Sequence, residues 1–269
     1  MNAYEQKALR EIRAWQAQPP GWGTRLLARP GSAIANAVQD LVPERALRSA
    51  LTGADALGRK LSDERSILKR AGAKDLAALR QESLEHGDRL ARSVALRALV
   101  LGGATGAAFG VAGAAGLVAD VPTLLTLSMR TLHRVGLCYG DKPEVEDRRR
   151  LGFAIFALVS ANSADEKIDA LAVLREGGSS TQAAALRDGI ERVAEREIAK
   201  EAASYGLQNL ARAIGLNLGR RKVAGTIPVI GAAVGAAVNA WYLADVAQVA
   251  RYVFQQRWLR ERYPGPATD

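Results

Sequence analysis

Two stretches decide the fold: residues 98–119, ALVLGGATGAAFGVAGAAGLVA, and residues 223–244, VAGTIPVIGAAVGAAVNAWYLA. We call them the first and the second apolar run. Each contains 22 residues without a charged side chain, and each is followed directly by an aspartate. In the first run 14 residues are glycine or alanine. This composition is typical of helical segments that pack closely against other helices.

The two runs share an internal pattern. In each, a glycine is followed by two alanines, one bulkier residue and a second glycine, and the aspartate comes ten residues after that second glycine. The shared positions are Gly106, Gly110, Asp120, Gly231, Gly235 and Asp245. A composition poor in residue types could produce part of this likeness by coincidence. We interpret it as a structural repeat.

Glycines four residues apart lie on one face of a helix and let another backbone approach closely. Each glycine inside a helix costs about 1 kcal/mol relative to alanine, so a series of them is expected where close packing compensates. We therefore predict that the two runs pack against each other at the centre of the molecule. We expect Asp120 and Asp245 at corresponding helix ends, where their side chains cap the following turns.

The rest of the chain predicts an all-α protein, a single multi-helix bundle over residues 1–269 with the two apolar runs at its centre. Ala8, Ile12 and Trp15 have helical spacing within a charged segment, which predicts an amphipathic helix over 4–17. Residues 177–180, Gly-Gly-Ser-Ser, predict a flexible linker. Alternating apolar and polar residues, the pattern of a strand, are not evident.

Composition and charge narrow the class of protein. The chain is 48% hydrophobic but only 5% aromatic, and its formal net charge is +9. That charge favours an anionic partner, either nucleic acid or the cytoplasmic face of a membrane, and charge alone does not choose between them. The charged N-terminus lacks the apolar core of a signal peptide. We expect a cytoplasmic protein at the inner face of the membrane.

The apolar runs are long enough to cross a membrane, since about 20 residues suffice. Glycine and alanine contribute little transfer energy, however, and the segment after the first run carries Arg130, His133 and Arg134. A buried hairpin or a lipid-contacting groove therefore fits better than a span.

Aromatic and arginine residues alternate near the C-terminus, a pairing that suits the layer between headgroups and acyl chains. The candidate lipid-contacting residues are Trp241, Tyr242, Arg251, Tyr252, Phe254, Arg257 and Trp258. The same residues could instead anchor the last helix on the bundle, with arginine stems covering apolar surface.

Catalytic and metal-binding patterns are weak. His133 and Cys138 are five residues apart, a poor spacing for one helical face, and a histidine with a polar partner is the simpler interpretation. The G-x-S-x-G and phosphate-loop patterns do not occur. We expect no catalytic residue, metal or cofactor.

Two long blocks resemble the signatures of the EcsC family: GGATGAAFGVAGAAGLVADVPTLLTLSMRTLHRVGLCYGDKPE at 102–144 and IPVIGAAVGAAVNAWYLADVAQVARYVFQQRWL at 227–259. The resemblance implies a cytoplasmic or membrane-associated protein without an established biochemical activity. The family takes its name from a protein encoded with ABC transporter subunits. We expect a non-enzymatic protein that binds lipid or an anionic membrane, in support of a transporter, and do not expect nucleic-acid binding. The alternative is a helical protein-interaction scaffold without lipid contact.

Overall fold

The structure is a computed structural model that describes residues 1–19, 53–111, 114–142, 151–152, 154–156, 158–159, 161, 164–176 and 223–265. Regular structure within these residues is helical, without a strand, so the predicted all-α class is confirmed. The helices are α1 (Ala3–Ala17), α2 (Glu64–Ala71), α3 (Leu76–Gln81), α4 (Leu84–Val111), α5 (Ala114–Cys138), α6 (Ala164–Glu176) and α7 (Val223–Arg262). Residues 53–60 are helical as well.

The first helix begins at a capping box. The Asn2 side chain accepts a hydrogen bond from the Glu5 amide at 2.9 Å, and the Asn2 amide donates to Glu5 Oε2 at 2.7 Å. This reciprocal pair satisfies amides that have no partner inside the helix. Ala8 and Ile12 are buried against the bundle. The predicted amphipathic helix over 4–17 is therefore confirmed.

Helices α4 and α5 form a hairpin. Val111 ends α4 and Ala114 begins α5, while Tyr139, just beyond the other end of α5, lies against Gly87 near the start of α4. The first apolar run is therefore divided between two helices and does not form one. Alanine and glycine occur on both sides of this division, so helix propensities do not predict where α4 ends and α5 begins.

Helix α7 runs antiparallel to α4 along its length. The two helices meet at Asp88 with Gln255 near one end and at Gly106 with Gly235 near the other. Theirs is the most extensive helix–helix contact within the described residues. The prediction that the two apolar runs pack against each other is confirmed at these glycines. The close approach occurs because neither glycine has a side chain.

The two aspartates do not lie at helix ends, so that prediction is wrong. Asp120 lies inside α5, which also contains Pro122, and Asp245 lies inside α7, which continues to Arg262. One charged residue does not end a helix when apolar residues follow it at helical spacing, as they do after Asp245. Gly231 also lies in α7. The internal repeat stays a prediction.

The predicted flexible linker at 177–180 lies outside the described residues, as do residues 20–52 and 143–150.

Candidate functional site

The contact between α4 and α7 in the apolar runs is made by backbone. A Cβ atom built on Gly102 would lie 2.7 Å from the Asn239 carbonyl oxygen, and one built on Gly106 would overlap the Gly235 carbonyl. Gly110 reaches the same contact, since its Cα lies 3.4 Å from a Cβ built on Gly235. No side chain on α4 fits at Gly102 or Gly106, because the α7 backbone and the side chains of Asn239 and Leu243 already occupy the space. The bulky residues of α4 must therefore lie elsewhere on the helix.

The bulky apolar residues of α4 are exposed. Most of them lie away from the glycines, while Leu99, seven residues before Gly106, borders the glycine face. The exposed fractions are 66% for Leu96, 42% for Leu99, 67% for Val100, 38% for Leu101 and 55% for Val111. Spacings of three and four residues place most of them on one side of the helix. We call these five residues the outer face of α4. A continuous apolar stripe on a protein surface is typical of an interaction site.

The length of the uncharged segment limits what the outer face can do in a bilayer. By length and composition alone, α4 is the one helix within the described residues that could cross a membrane, and core helices of soluble proteins pass the same test. Its uncharged part, residues 98–111, is about 21 Å long at 1.5 Å per residue. The hydrocarbon core is about 30 Å thick. This segment suits a helix that lies along the interface.

A buried carboxylate joins four parts of the fold at the other end of α4. Asp88 accepts hydrogen bonds from the hydroxyls of Tyr4 and Tyr139, each at 2.5 Å, and from Gln255 Nε2 at 2.8 Å. These partners belong to α1, to the end of α5 and to α7. The cluster therefore clamps the helices together.

Two phenol groups of this cluster are held in their neutral form. Burial, followed by the hydrogen bond to Asp88 and its negative charge, raises the pKa of Tyr4 to about 12. Burial and the charge of Asp88 also raise the pKa of Tyr139 well above its usual value. Sequence reasoning missed this site because the partners of Asp88 are distant in the chain.

A small cavity of about 110 Å³ lies beside His133 and Ser62. His133 Nε2 is 2.9 Å from Asp55 Oδ1, while the Ser62 hydroxyl donates to the Gly58 carbonyl at 2.7 Å. The serine is thus hydrogen bonded to backbone. His133 has the polar partner that the simpler interpretation of this residue expects.

Cys138 is separate from that pair. Its thiol donates to the Arg134 carbonyl at 3.1 Å, and burial raises the pKa of the thiol to about 12. Within the described ranges, no group of three or more His, Cys, Asp or Glu side chains is placed to hold a metal ion.

Comparison of the sequence with known proteins identifies the family of this chain. A profile of the EcsC protein family matches residues 6–259, which is nearly the whole chain. The chain belongs to the EcsC family. It is also similar to the uncharacterized protein YdbA of Bacillus subtilis (strain 168), at 24% identity over 214 residues that cover 76% of this chain and 72% of the relative. No solved structure matches this EcsC chain.

The aromatic residues that the sequence singled out for lipid contact lie mostly inside the EcsC bundle. Tyr242, Phe254 and Trp258 are buried. Tyr252 is half-buried and stacks on Trp15 of α1, with ring centroids 5.1 Å apart. These contacts attach α7 to its neighbours, as the anchoring alternative expects.

The remaining members of that set are half-buried. Arg257 Nε donates to Asp141 Oδ2 at 2.7 Å, and the Arg251 guanidinium lies over the Tyr252 ring. Trp241 is also half-buried. The set does not form one exposed surface, in contrast to the outer face of α4, which sequence reasoning did not single out.

Proposed function

We propose that this EcsC protein is a non-enzymatic peripheral membrane protein that buries the outer face of α4 at the cytoplasmic surface of a bilayer. The observation that supports the proposal is the exposure of five bulky apolar side chains on α4, four of them within its uncharged part. Removing apolar surface from water is worth about 25 cal/mol per Å². An exposed apolar face gains this free energy at a membrane interface without a binding pocket.

The helix lies along the membrane surface and does not cross it. The uncharged part of α4 is too short to span the hydrocarbon. An interfacial helix buries its apolar face only about 5–10 Å deep. The backbone contact of Gly106 with Gly235 holds α4 against α7, so the outer face is presented on a closely packed pair of helices.

Charge favours a bilayer over another protein as the occupant. Between Asp88 and Asp120 the chain has no acidic residue, while Arg89, Arg92 and Arg97 lie in α4. Cations beside an apolar stripe are attracted to the anionic cytoplasmic leaflet. A transporter that this protein supports would lie in the same membrane.

Vesicle flotation tests this function. Purified wild-type protein and the Val100→Asn variant are mixed with phosphatidylcholine vesicles that contain or lack phosphatidylglycerol. We expect the variant to bind roughly tenfold more weakly, because burying a valine or leucine side chain is worth about 1.5–3 kcal/mol.

Ile168→Asn is the matched control, since Ile168 on α6 is 61% exposed and also β-branched. It should bind like the wild type. Failure of the wild type to float with either vesicle would refute the proposal and leave the protein-interaction scaffold as the alternative.

A further inference from the structure

We propose that the cavity beside His133 binds a small apolar α-amino acid such as valine. The cavity is lined from the start of α2, from α5, from the turn after α5 and from α7, so it is separate from the outer face of α4. The alkyl, ammonium and carboxylate groups of the ligand each match a part of this lining.

The apolar part of the lining fits a short alkyl group. Leu132 and Leu137 come from α5, and Phe254 of α7 lies so close to Gly136 that a Cβ built on this glycine would be 2.8 Å from the ring. The volume of the cavity is about 110 Å³. An engineered apolar cavity of about 150 Å³ binds benzene, so this cavity holds a branched group of roughly three or four carbons.

One buried acceptor in the lining is not used by the fold. Asp141 is only 6% exposed, and its Oδ2 accepts a hydrogen bond from Arg257 Nε at 2.7 Å. Oδ1 of Asp141 lies 3.8 Å from Arg80 Nη1, which is beyond hydrogen-bond distance, and it accepts no hydrogen bond within the described residues. Because buried polar atoms are normally hydrogen bonded, Oδ1 favours a ligand with a donor.

His133 supplies a second buried acceptor. Its Nε2 is 2.9 Å from Asp55 Oδ1, and since a carboxylate only accepts, the hydrogen lies on Nε2. Nδ1 of the neutral ring is then an acceptor, and in the described part of the chain it has no donor. The His133 side chain is 6% exposed and lines the cavity. Two such acceptors favour an ammonium group, which carries three N–H donors.

A carboxylate that could balance the ammonium charge lies on the same lining. Lys142 Nζ is 2.9 Å from Glu64 Oε2, and this ion pair brings the turn after α5 against the start of α2. Asp63, next to Glu64, caps the Ser66 amide and makes no ion pair within the described ranges. An ammonium that contacts Asp63 and Asp141 would form charge-assisted hydrogen bonds.

Arg59 is the counterpart for the carboxylate of the ligand. It follows Asp55, the partner of His133, by four residues and so lies on the same side of the helical segment 53–60. Its side chain makes no hydrogen bond or ion pair among the described residues, and it does not pair with Asp63 although both line the cavity. The other charged residues of the lining have partners of opposite charge. One cation and one anion therefore remain, which is the charge pattern of a zwitterion.

Calorimetric titration tests the ligand class with four compounds. Isobutylamine lacks the carboxylate of valine, isovalerate lacks the ammonium, and glycine lacks the alkyl group. We expect valine to bind with a dissociation constant on the order of 1 mM or lower, which a ligand of this size can reach. Each incomplete compound should bind about tenfold more weakly or worse, because it loses an ionic hydrogen bond or apolar burial.

Two variants assign the ionic contacts. Asp63→Asn removes the charge but keeps a residue type that caps helices and tolerates the φ of 48° found here. Arg59→Gln removes the guanidinium from an exposed position. Each change should weaken valine binding about tenfold. Arg59→Gln should leave isobutylamine binding unchanged, and Asp63→Asn should leave isovalerate binding unchanged.

Lys60→Gln is the control, since Lys60 is exposed, follows Arg59 directly and is not among the residues that line the cavity. It should bind valine like the wild type. The site is refuted if valine does not bind, or if the control loses as much affinity as Arg59→Gln. Isobutylamine or isovalerate that binds as tightly as valine would overturn the amino-acid assignment. None of these results bears on vesicle binding, because Val100→Asn should bind valine normally.

Discussion

The pair of helices α4 and α7 is built differently at its two ends. At the polar end, residues 84–97 of α4 meet residues 243–262 of α7 through large side chains and the buried Asp88 cluster. At the glycine end, residues 98–111 of α4 meet residues 235–240 of α7 by close backbone approach. The polar end places its bulky residues in the core except for the exposed Leu96, whereas the glycine end leaves them on the outside.

This difference teaches how one long helix can serve both folding and binding. A glycine interface needs no bulky side chain, so the leucines and valines of the same segment are free for another surface. The helix contact at the polar end depends on hydrogen bonds between residues that come together only in the folded chain. We therefore expect mutations at the polar end to affect stability and mutations on the outer face to affect membrane binding.

The largest effect is expected for Asp88→Ala. The change leaves the hydroxyl of Tyr139 and the amide of Gln255 buried without their acceptor. Leaving a buried donor without an acceptor costs about 1–3 kcal/mol, so the two groups together cost about 2–6 kcal/mol. Urea unfolding measures it, with Glu85→Ala on the exposed side of α4 as the control. Loss of less than about 1 kcal/mol, the range of an ordinary neutral hydrogen bond, would contradict the clamp.

A smaller loss is expected for Gly106→Ala, whose added methyl group would overlap the Gly235 carbonyl. Overpacking of this kind costs about 1–3 kcal/mol. Gly103→Ala is the matched control, because its Cβ would meet Ala240 Cβ at 3.8 Å, an ordinary contact. That control should be neutral or stabilising by up to about 1 kcal/mol, since alanine favours a helix. Equal effects of the two changes would contradict the glycine interface.

Alkaline titration probes the polar end. Because the fold raises the pKa of Tyr4 from 10.0 to about 12, and raises that of Tyr139 well above its usual value, the folded protein keeps protons that the unfolded chain loses. This contribution to stability is complete below pH 10 and is lost as the pH rises through about 12. Phenolate absorbance should show late ionisation, and Tyr4→Phe should remove one late step. Ionisation of every tyrosine near pH 10 would argue against the cluster.

The smallest effect on stability is expected at the outer face. Val100→Asn changes a side chain that is 67% exposed, so its free energy of unfolding should change by less than about 0.5 kcal/mol. Thermal unfolding checks this value. A loss above 2 kcal/mol would show that Val100 belongs to the core and that the two ends do not differ.

Much of the fold could be predicted because its signals are local. Charged residues around Ala8 and Ile12 mark the amphipathic first helix, and glycines four apart mark the close contact at Gly106 and Gly235. The division of the first apolar run was not predictable, since alanine and glycine continue across it. The continuation of α7 past Asp245 was missed because an aspartate was read as an end signal.

The candidate site was harder to predict because burial depends on distant partners. Asp88 lies in a charged stretch that suggests solvent exposure, yet its partners come from three other parts of the fold. Conversely, Val100 lies in an apolar run that suggests a core position. Periodicity shows which residues share a side of a helix but not which side stays uncovered.

The membrane contact of the outer face is tested most directly by a fluorescent probe at its centre. An environment-sensitive dye attached to Val100→Cys can be placed selectively, because the thiol of Cys138 is buried. We expect a blue shift on adding phosphatidylglycerol vesicles and quenching by shallow brominated lipids, with no change for the same dye on Ile168→Cys. A dye at position 100 that stays in water while the protein is bound to vesicles would contradict the account.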